Sequence, residues 1–236
     1  MIPLKNMMAR RSVPVVTILL IAINALVFYH QLTLSNAAND AFIRTYGMVP
    51  LKMQLALAGS PRYTLIDAFL PLVTCMFLHG GFLHILGNMW FLWIFGGAVE
   101  DRLGPLPYLL FYFICGIGSG LAQAIFSWGS DLPSIGASGA ISGVLGAYVV
   151  FFPASRILTL VPLFVFFFTA QIPAIVFIGL WFAIQFLSGV TALHTPGATN
   201  MGGVAWWAHV GGFVLGVLLA KLFEGGRRRA DSYTYS

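Results

Sequence analysis

Charged residues are scarce in this sequence, and so are cysteines. Asp, Glu, Lys and Arg make up 8% of the 236 residues, hydrophobic residues make up 59%, and the mean hydropathy is +0.90. This composition excludes an ordinary soluble domain. The basic residues form no stripe with interleaved aromatic residues, which argues against nucleic-acid binding. The two cysteines are too few for a disulfide framework. We therefore predict an integral membrane protein with a single domain, 1–236.

Apolar runs long enough to cross a bilayer recur along the chain. A helix needs roughly 17 to 25 residues to cross about 30 Å of hydrocarbon, and the candidate spans are about 14–32, 82–99, 106–126, 138–152, 172–187 and 206–223. They predict an all-α polytopic membrane protein with six transmembrane helices. The segment 157–170, which contains Pro162, is either a further span or an interfacial stretch leading into the fifth. The long segment 33–81 is expected to lie at the membrane interface.

The distribution of Lys and Arg predicts the orientation of these spans. An even number of spans places both termini on one side, and the positive-inside rule makes that side cytoplasmic. Of the 12 basic residues, only Arg44, Lys52 and Arg62 are then left outside. The first span is expected to be a signal anchor, because its cleavage would spoil this partition. The basic residues at 227–229 are expected to contact lipid headgroups.

Polar side chains inside the predicted spans are few, and three of them share one depth. His84 and Asn88 lie four residues apart on the second span, Ser138 and Ser142 lie on the fourth, and His209 lies on the sixth. These spans all run from outside to inside, and each carries one of the residues His84, Ser138 and His209 within its first turn. Strongly polar groups inside a membrane are costly and mark candidate functional sites.

The short fourth span predicts how deep this polar group lies. The 15 residues 138–152 cover roughly 22 Å at about 1.5 Å per residue. A helix of that length that reaches the cytoplasmic surface begins below the outer surface. Irregular backbone at that depth must line a cavity or be buried in protein, so residues 133–137 are expected to descend into a recess filled with water.

A serine and a histidine without a matching carboxylate predict nucleophilic catalysis by a dyad, in which the neutral imidazole takes the hydroxyl proton. All seven acidic residues fall in loops or at span ends. His84, Asn88 and the backbone N–H of Ser138 are candidate donors to an oxyanion, because Ser138 begins a helix whose first N–H groups are free. Gly136 and Gly139 remove side chains on either side of Ser138, which lets a substrate backbone come close.

Other site chemistries are missing from the sequence. It has neither an H-E-x-x-H zinc motif nor a pair of aspartates inside the spans, and His79 with His84 lacks a suitable third metal ligand. The G-x-S-x-G elbow of soluble serine hydrolases is absent, because residue 140 is alanine. The sequence therefore predicts no metal and no cofactor.

Four motifs follow one another along the chain: FLHGGFLHILGN at 77–88, GGAVEDRLG at 96–104, GASG at 136–139 and AHVGGFVLG at 208–216. In this order they resemble the motifs of the rhomboid intramembrane serine proteases, and the resemblance covers nearly the whole chain. It implies a six-helix rhomboid-like bundle with Ser138 as the nucleophile and His209 as the general base. It also implies that His84 and Asn88 belong to the oxyanion hole.

Further residues match the same motifs. The resemblance implies that His79 supports the segment beside the site, and that Glu100 and Arg102 form a structural ion pair. Many family members carry an aromatic residue four positions after the nucleophile, where this chain has Ser142. Stacking support for the histidine is therefore in doubt. Ser142 is either a hydrogen-bond partner of His209 or a competing nucleophile, and the GASG motif favours the first serine.

The glycine pairs of the fourth and sixth spans are expected to pack these helices together. They have small-xxx-small spacing, which is typical of helix contacts in membranes, and they comprise Gly139 with Gly143 and Gly212 with Gly216.

The predicted function is peptide-bond hydrolysis in or near the membrane span of another protein, with transmembrane proteins and the lipid bilayer as partners. The alternative is a non-catalytic rhomboid-like factor that binds membrane proteins. A transporter or channel is disfavoured, because the polar groups lie nearer the outer face than the midplane. A bacterial cytoplasmic membrane is expected, with the active site opening to the outer side. The sequence makes no prediction of the oligomeric state.

Overall fold

The computed structural model describes residues 1–8, 12–163, 166–194 and 204–233. Most of these residues are helical. The helices are α1 Val15–Thr33, α2 Asn36–Tyr46, α3 Pro50–Leu57, α4 Leu65–Phe69, α5 Pro71–Thr74, α6 Phe82–Phe91, α7 Gly97–Leu103, α8 Pro105–Phe126, α9 Ser138–Phe151, α10 Ala174–His194 and α11 Trp206–Tyr233. A 3₁₀ turn covers Cys75–Phe77, and a π-helical turn, Leu92–Gly96, joins α6 to α7 as one continuous helix.

Among the described residues, five helices are long and apolar enough to cross a membrane: Val15–Thr33, Phe82–Leu103, Pro105–Phe126, Ala174–His194 and Trp206–Glu224. They confirm a mainly helical polytopic membrane protein. The predicted fourth span forms α9, which has 14 residues, ten of them buried. At about 1.5 Å per residue this helix covers roughly 21 Å. It is surrounded by other helices, so it need not match the full hydrocarbon thickness. Six crossings with both ends in the cytoplasm remain a prediction.

Glycines bring α9 and α11 into backbone contact. A Cβ atom on Gly212 would overlap the carbonyl oxygen of Gly139, and one on Gly216 would overlap that of Gly143. Small residues at such contacts let helix backbones approach closely in a membrane, where van der Waals packing drives association. The predicted packing role of these glycines therefore matches the structure. The close approach also sets the distance between Ser138, at the start of α9, and His209, in the first turn of α11.

A three-stranded antiparallel sheet lies beside the helices, which the sequence did not predict. Its strands are β1 Ile2–Asn6, β2 Arg156–Leu163 and β3 Phe166–Pro173, in the order β1-β2-β3. Asn6 pairs with Ile157, and Arg156 pairs with Pro173. Residues 157–170 are thus mostly a β-hairpin rather than a helical span. Pro162 pairs with Phe167 of β3 and lies beyond Leu160, the last residue of β2 that pairs with β1, so it occupies a position where proline is tolerated.

The segment between α1 and α6 folds into short helices that support the loop before α9. Ser134 pairs with Met48 through two backbone hydrogen bonds, and the N–H of Gly136 donates to the carbonyl oxygen of Cys75 at 2.8 Å. The loop at 133–137 is therefore attached along its length to residues between α2 and α6. These contacts fix where α9 begins.

The predicted ion pair between Glu100 and Arg102 is wrong. The buried carboxylate of Glu100 instead accepts three hydrogen bonds of 2.8 Å, from the N–H groups of Val16 and Thr17 and from the Thr17 hydroxyl. Arg102 pairs with Glu224 of α11 at 3.5 Å. Residues two apart on a helix point in different directions, so the two side chains of α7 cannot meet. Glu100 caps the first turn of α1, where a negative charge is favourable.

Candidate active site

Ser138 is the first residue of α9, and the chain enters this helix through Gly136. The φ angle of Gly136 is +121°, a region that glycine tolerates and other residues rarely adopt. The first N–H groups of a helix have no acceptor within the helix, so the Ser138 end of α9 offers free donors and a partial positive charge. The Ser138 side chain is half-buried.

The side chains of Ser138 and His209 meet, although 71 residues separate them. Ser138 Oγ lies 2.8 Å from His209 Nε2, which is hydrogen-bond distance. His209 is 8% exposed, so this contact lies at the edge of the buried core. A hydroxyl that can give its proton to a neutral imidazole is an activated nucleophile.

The other nitrogen of His209 contacts Gln185 of α10. His209 Nδ1 lies 2.7 Å from Gln185 Oε1, and both side chains are buried. The rings of Trp181 and Trp206 flank the imidazole, at centroid distances of 5.8 and 6.3 Å. The sequence prediction missed Gln185. The available signal was a glutamine inside an otherwise apolar predicted span, 172–187.

His84 and Asn88 converge on the peptide backbone just before Ser138. The position of a Cβ atom on Gly136 would be 2.7 Å from His84 Nε2 and 3.5 Å from Asn88 Nδ2. The N–H of Gly80 donates to His84 Nδ1 at 3.3 Å, so His84 Nε2 is the protonated nitrogen and the donor. The two predicted oxyanion donors therefore lie on one side of the Gly136 backbone, where no side chain intervenes.

His79 contacts the side chain of Asn88. The atoms His79 Nε2 and Asn88 Nδ2 are 3.0 Å apart, and Gln31 of α1 bonds both the N–H and the carbonyl oxygen of His79. Burial lowers the pKa of His79 to about 4, and the neighbouring His84 lowers it further in the same direction. His79 is therefore neutral near pH 7, and its Nε2 can accept the hydrogen bond that orients the Asn88 amide.

Ser142 contacts neither nitrogen of His209. Its hydroxyl donates to the carbonyl oxygen of Ser138, one turn earlier in α9, at 2.6 Å, and the side chain is completely buried. This local bond is common for serines inside helices. Gly139 also faces away from the recess, because its Cβ position would overlap the Ser119 hydroxyl. Of the two glycines beside Ser138, only Gly136 opens space near the oxyanion donors.

An open cavity of about 790 Å³ connects these groups. His84, Asn88, Ser138 and His209 line it, together with apolar residues such as Phe91 and Trp181. This is the recess that the sequence predicts beside residues 133–137. Within the described ranges, no group of three or more His, Cys, Asp and Glu side chains is placed to hold a metal ion. The cavity offers a nucleophile, a base and hydrogen-bond donors beside an apolar wall.

The chain is similar in sequence to several known proteins. The Rhomboid domain family matches residues 67–225. The chain is 34% identical to "Rhomboid protein 1, mitochondrial" of Saccharomyces cerevisiae over 176 residues, which are 70% of this chain and 46% of that protein. It is 32% identical to "RHOMBOID-like protein 5" of Arabidopsis thaliana over 148 residues, 63% of this chain and 42% of the relative.

A bacterial relative is more similar over a shorter stretch. "Rhomboid protease GluP" of Bacillus subtilis is 45% identical over 76 residues, 32% of this chain and 14% of that protein. The chain spans less than half the length of these three relatives. The family match nevertheless includes all four motif regions and both residues of the Ser138–His209 contact. The chain therefore belongs to the rhomboid family.

Proposed function

We propose that this chain is an intramembrane serine endopeptidase that cleaves other membrane proteins in or beside their transmembrane segments. The observation that carries the proposal is the 2.8 Å contact between Ser138 Oγ and His209 Nε2 at the wall of an open cavity. A non-catalytic binding factor has no need of a nucleophile and a base at hydrogen-bond distance. No observation favours that alternative.

In the acylation step, His209 Nε2 takes the Ser138 hydroxyl proton while Oγ attacks the carbonyl carbon of the scissile peptide. The carbonyl oxygen becomes an oxyanion that accepts hydrogen bonds from the Ser138 N–H, His84 Nε2 and Asn88 Nδ2. Protonated His209 then gives its proton to the leaving nitrogen, and the C–N bond breaks. The amine product departs, and an acyl ester remains on Ser138.

In the deacylation step, a water molecule gives a proton to His209 and its oxygen attacks the ester carbon. The same donors stabilise the second oxyanion. Collapse of this intermediate returns the proton from His209 to Ser138 Oγ and releases the carboxylate product. The cavity mouth allows water to reach Ser138, which is half-buried rather than sealed in the core.

The apolar lining of the cavity suits a substrate segment that lies in the membrane. Leu83 and Phe91 of α6 face Trp181 of α10 across the cavity, and Leu83 is 86% exposed. The rings of Phe95, in the π-helical turn after α6, and Phe177 of α10 stack at a centroid distance of 6.5 Å. We propose that a substrate segment enters sideways between α6 and α10. Glycine or proline near the cut assists cleavage, because a helical substrate hides its carbonyl groups in hydrogen bonds.

The chain is a multi-pass membrane protein, and an active site that opens to the outer side belongs to this proposal. The similar proteins include a mitochondrial protein of yeast and plant proteins as well as bacterial ones, so they do not support the expected bacterial cytoplasmic membrane.

Cleavage of a model single-span substrate in detergent tests the proposed function. Wild-type protein is expected to release two fragments, whereas Ser138→Ala and His209→Ala release none while keeping the wild-type unfolding temperature. Ser119→Ala is a matched control, because Ser119 is a buried serine that donates to the Gly116 carbonyl oxygen within α8. Cleavage by purified Ser138→Ala protein would contradict the proposal.

A further inference from the structure

Gln185 touches the imidazole that the dyad depends on, yet the dyad chemistry described above makes no use of it. Its Oε1 lies 2.7 Å from His209 Nδ1, and its side chain is 7% exposed. We propose, on the basis of the function proposed above, that Gln185 is a positioning residue that fixes the tautomer and orientation of His209 for Ser138. It would act as the neutral third member of a Ser-His-Gln arrangement.

The hydrogen bonds of Gln185 determine which end of its amide faces the histidine. Gln185 Nε2 donates to the Trp181 carbonyl oxygen one turn earlier in α10, at 3.4 Å. The amide oxygen is therefore the end that faces His209 Nδ1, and an amide oxygen can only accept. It follows that His209 carries its proton on Nδ1. The unprotonated Nε2 is then the nitrogen that faces Ser138 Oγ, as a general base requires.

Among the groups around His209, Gln185 is the one placed to fix the tautomer of the imidazole. The position one turn after the nucleophile is occupied by Ser142, whose hydroxyl is bonded within α9 and does not reach the imidazole. Trp181 and Trp206 flank the ring but make only aromatic contacts with it. The two ring nitrogens of His209 contact Ser138 and Gln185, and only the bond to Gln185 distinguishes one tautomer from the other.

Gln185 also makes the dyad depend on the position of α10. This helix packs on α11 largely through aromatic rings, including Phe182 on Phe213 at 4.5 Å. Other residues of α10, among them Ile184 and Leu187, are half exposed or more. A displacement of α10 away from α11 would lengthen the Gln185–His209 bond. The general base would then be correctly set only when α10 is packed against α11.

The test compares three variants of the full chain in cleavage of the model substrate. Gln185→Leu removes the acceptor at similar volume, Gln185→Glu keeps an acceptor and adds a charge, and Ile184→Ala is a control at the neighbouring exposed position. Gln185→Leu is expected to lower kcat by about tenfold or more with KM within about twofold, because the base loses its orientation. The rate of fluorophosphonate labelling of Ser138 should fall by the same factor. Ile184→Ala should match wild type.

The glutamate variant provides a readout that a merely structural role would not change. Gln185→Glu is expected to retain cleavage and to move the acidic limb of the pH–rate profile to higher pH, because a carboxylate stabilises protonated imidazole. If Gln185→Leu does not fold, the pH shift of Gln185→Glu alone tests the positioning role of Gln185. Wild-type kcat in Gln185→Leu, or an unshifted profile in Gln185→Glu, would overturn the positioning role only. A wild-type protein that neither cleaves nor labels would overturn the proposed function as well.

Discussion

The substitution Gly136→Ala should inactivate the protein without unfolding it. The φ angle of +121° makes any non-glycine residue unfavourable here, by about 1 to 3 kcal/mol. In addition, the new Cβ atom would lie 2.7 Å from His84 Nε2 and 2.9 Å from His84 Cε1. Ordinary contacts between such atoms are about 3.5 Å, so the imidazole must move by roughly 0.8 Å.

That displacement predicts the size of the kinetic effect. Misplacing a catalytic group by about 1 Å costs on the order of 100-fold in rate, and loss of one oxyanion donor costs a similar factor. We therefore expect kcat for the single-span substrate to fall about 100-fold in Gly136→Ala. The matched control is Gly59→Ala, because Gly59 has a φ of +73° and a Cβ atom there would have no neighbour within 4 Å. Both variants place an alanine at a positive φ angle, but only Gly136→Ala displaces His84.

The assay is substrate cleavage in detergent, together with thermal unfolding of each variant. Similar unfolding temperatures and very different kcat values are the expected result. If Gly136→Ala cleaves within about threefold of Gly59→Ala, a difference of less than about 0.7 kcal/mol in activation free energy, then His84 does not act at the position that the structure indicates.

Three further predictions concern residues outside the dyad. Glu100→Ala should lower the free energy of unfolding by several kcal/mol, because three donors lose a buried charged acceptor, whereas Arg102→Ala, at a partly exposed ion pair, should cost less than about 1 kcal/mol in the same unfolding assay. Ser142→Ala should retain cleavage and labelling within about threefold of wild type, since the lost hydroxyl bonds only backbone, and inactivity of this variant would contradict the assignment of Ser138. The pKa of His79 is about 4 in the folded protein and 6.5 without its surroundings, so the unfolded chain binds more protons between these values. Stability should therefore fall as the pH drops below 6.5, by at most about 1.4 kcal/mol per pH unit, and this dependence should weaken in His79→Gln when unfolding is measured at about pH 7.5 and about pH 5.

The residues of the candidate site could be predicted from the sequence because polar side chains are rare in membrane-spanning segments. Few side chains other than apolar ones occur inside the spans, so Ser138, His209 and His84 stood out, and the positive-inside rule placed them at one depth. The structure brings Ser138 Oγ and His209 Nε2 to 2.8 Å from each other, and their catalytic role stays a prediction. The packing role of Gly139 and Gly212 followed from the same principle, since close helix approach in lipid requires small residues.

The hydrogen-bond or ion-pair partner of each polar side chain could not be predicted from the sequence. Glu100 and Arg102 lie two positions apart in the motif, but on a helix they point in different directions, so Glu100 bonds the N-terminus of α1 and Arg102 pairs with Glu224. The sequence left open a bond from Ser142 to His209, and only the structure shows that the Ser142 hydroxyl donates to the Ser138 carbonyl oxygen within its own helix. Gln185 belongs to a fifth span whose contacts with α11 are set by tertiary packing.

The sheet was missed for a different reason. The strand β2, RILTLVPL, is apolar on both faces, and a continuous apolar run of this length cannot be distinguished from a short buried helix by periodicity. Its partner β1 lies about 150 residues earlier in the sequence, and such a distant partner cannot be inferred from local pattern. Two tertiary contacts hold β1 in place: the Trp90 indole N–H donates to the Pro3 carbonyl oxygen, and the Asn6 amide donates to that of Ile94.

Mass-spectrometric mapping of the serine that a fluorophosphonate labels tests the central claim most directly. The wild-type protein is expected to carry the label on Ser138, and His209→Ala is expected to carry none although it remains folded. Ser142→Ala should be labelled at Ser138 like wild type. A label mapped to Ser142, or equal labelling of Ser138 with and without the His209 imidazole, would contradict a Ser138–His209 dyad.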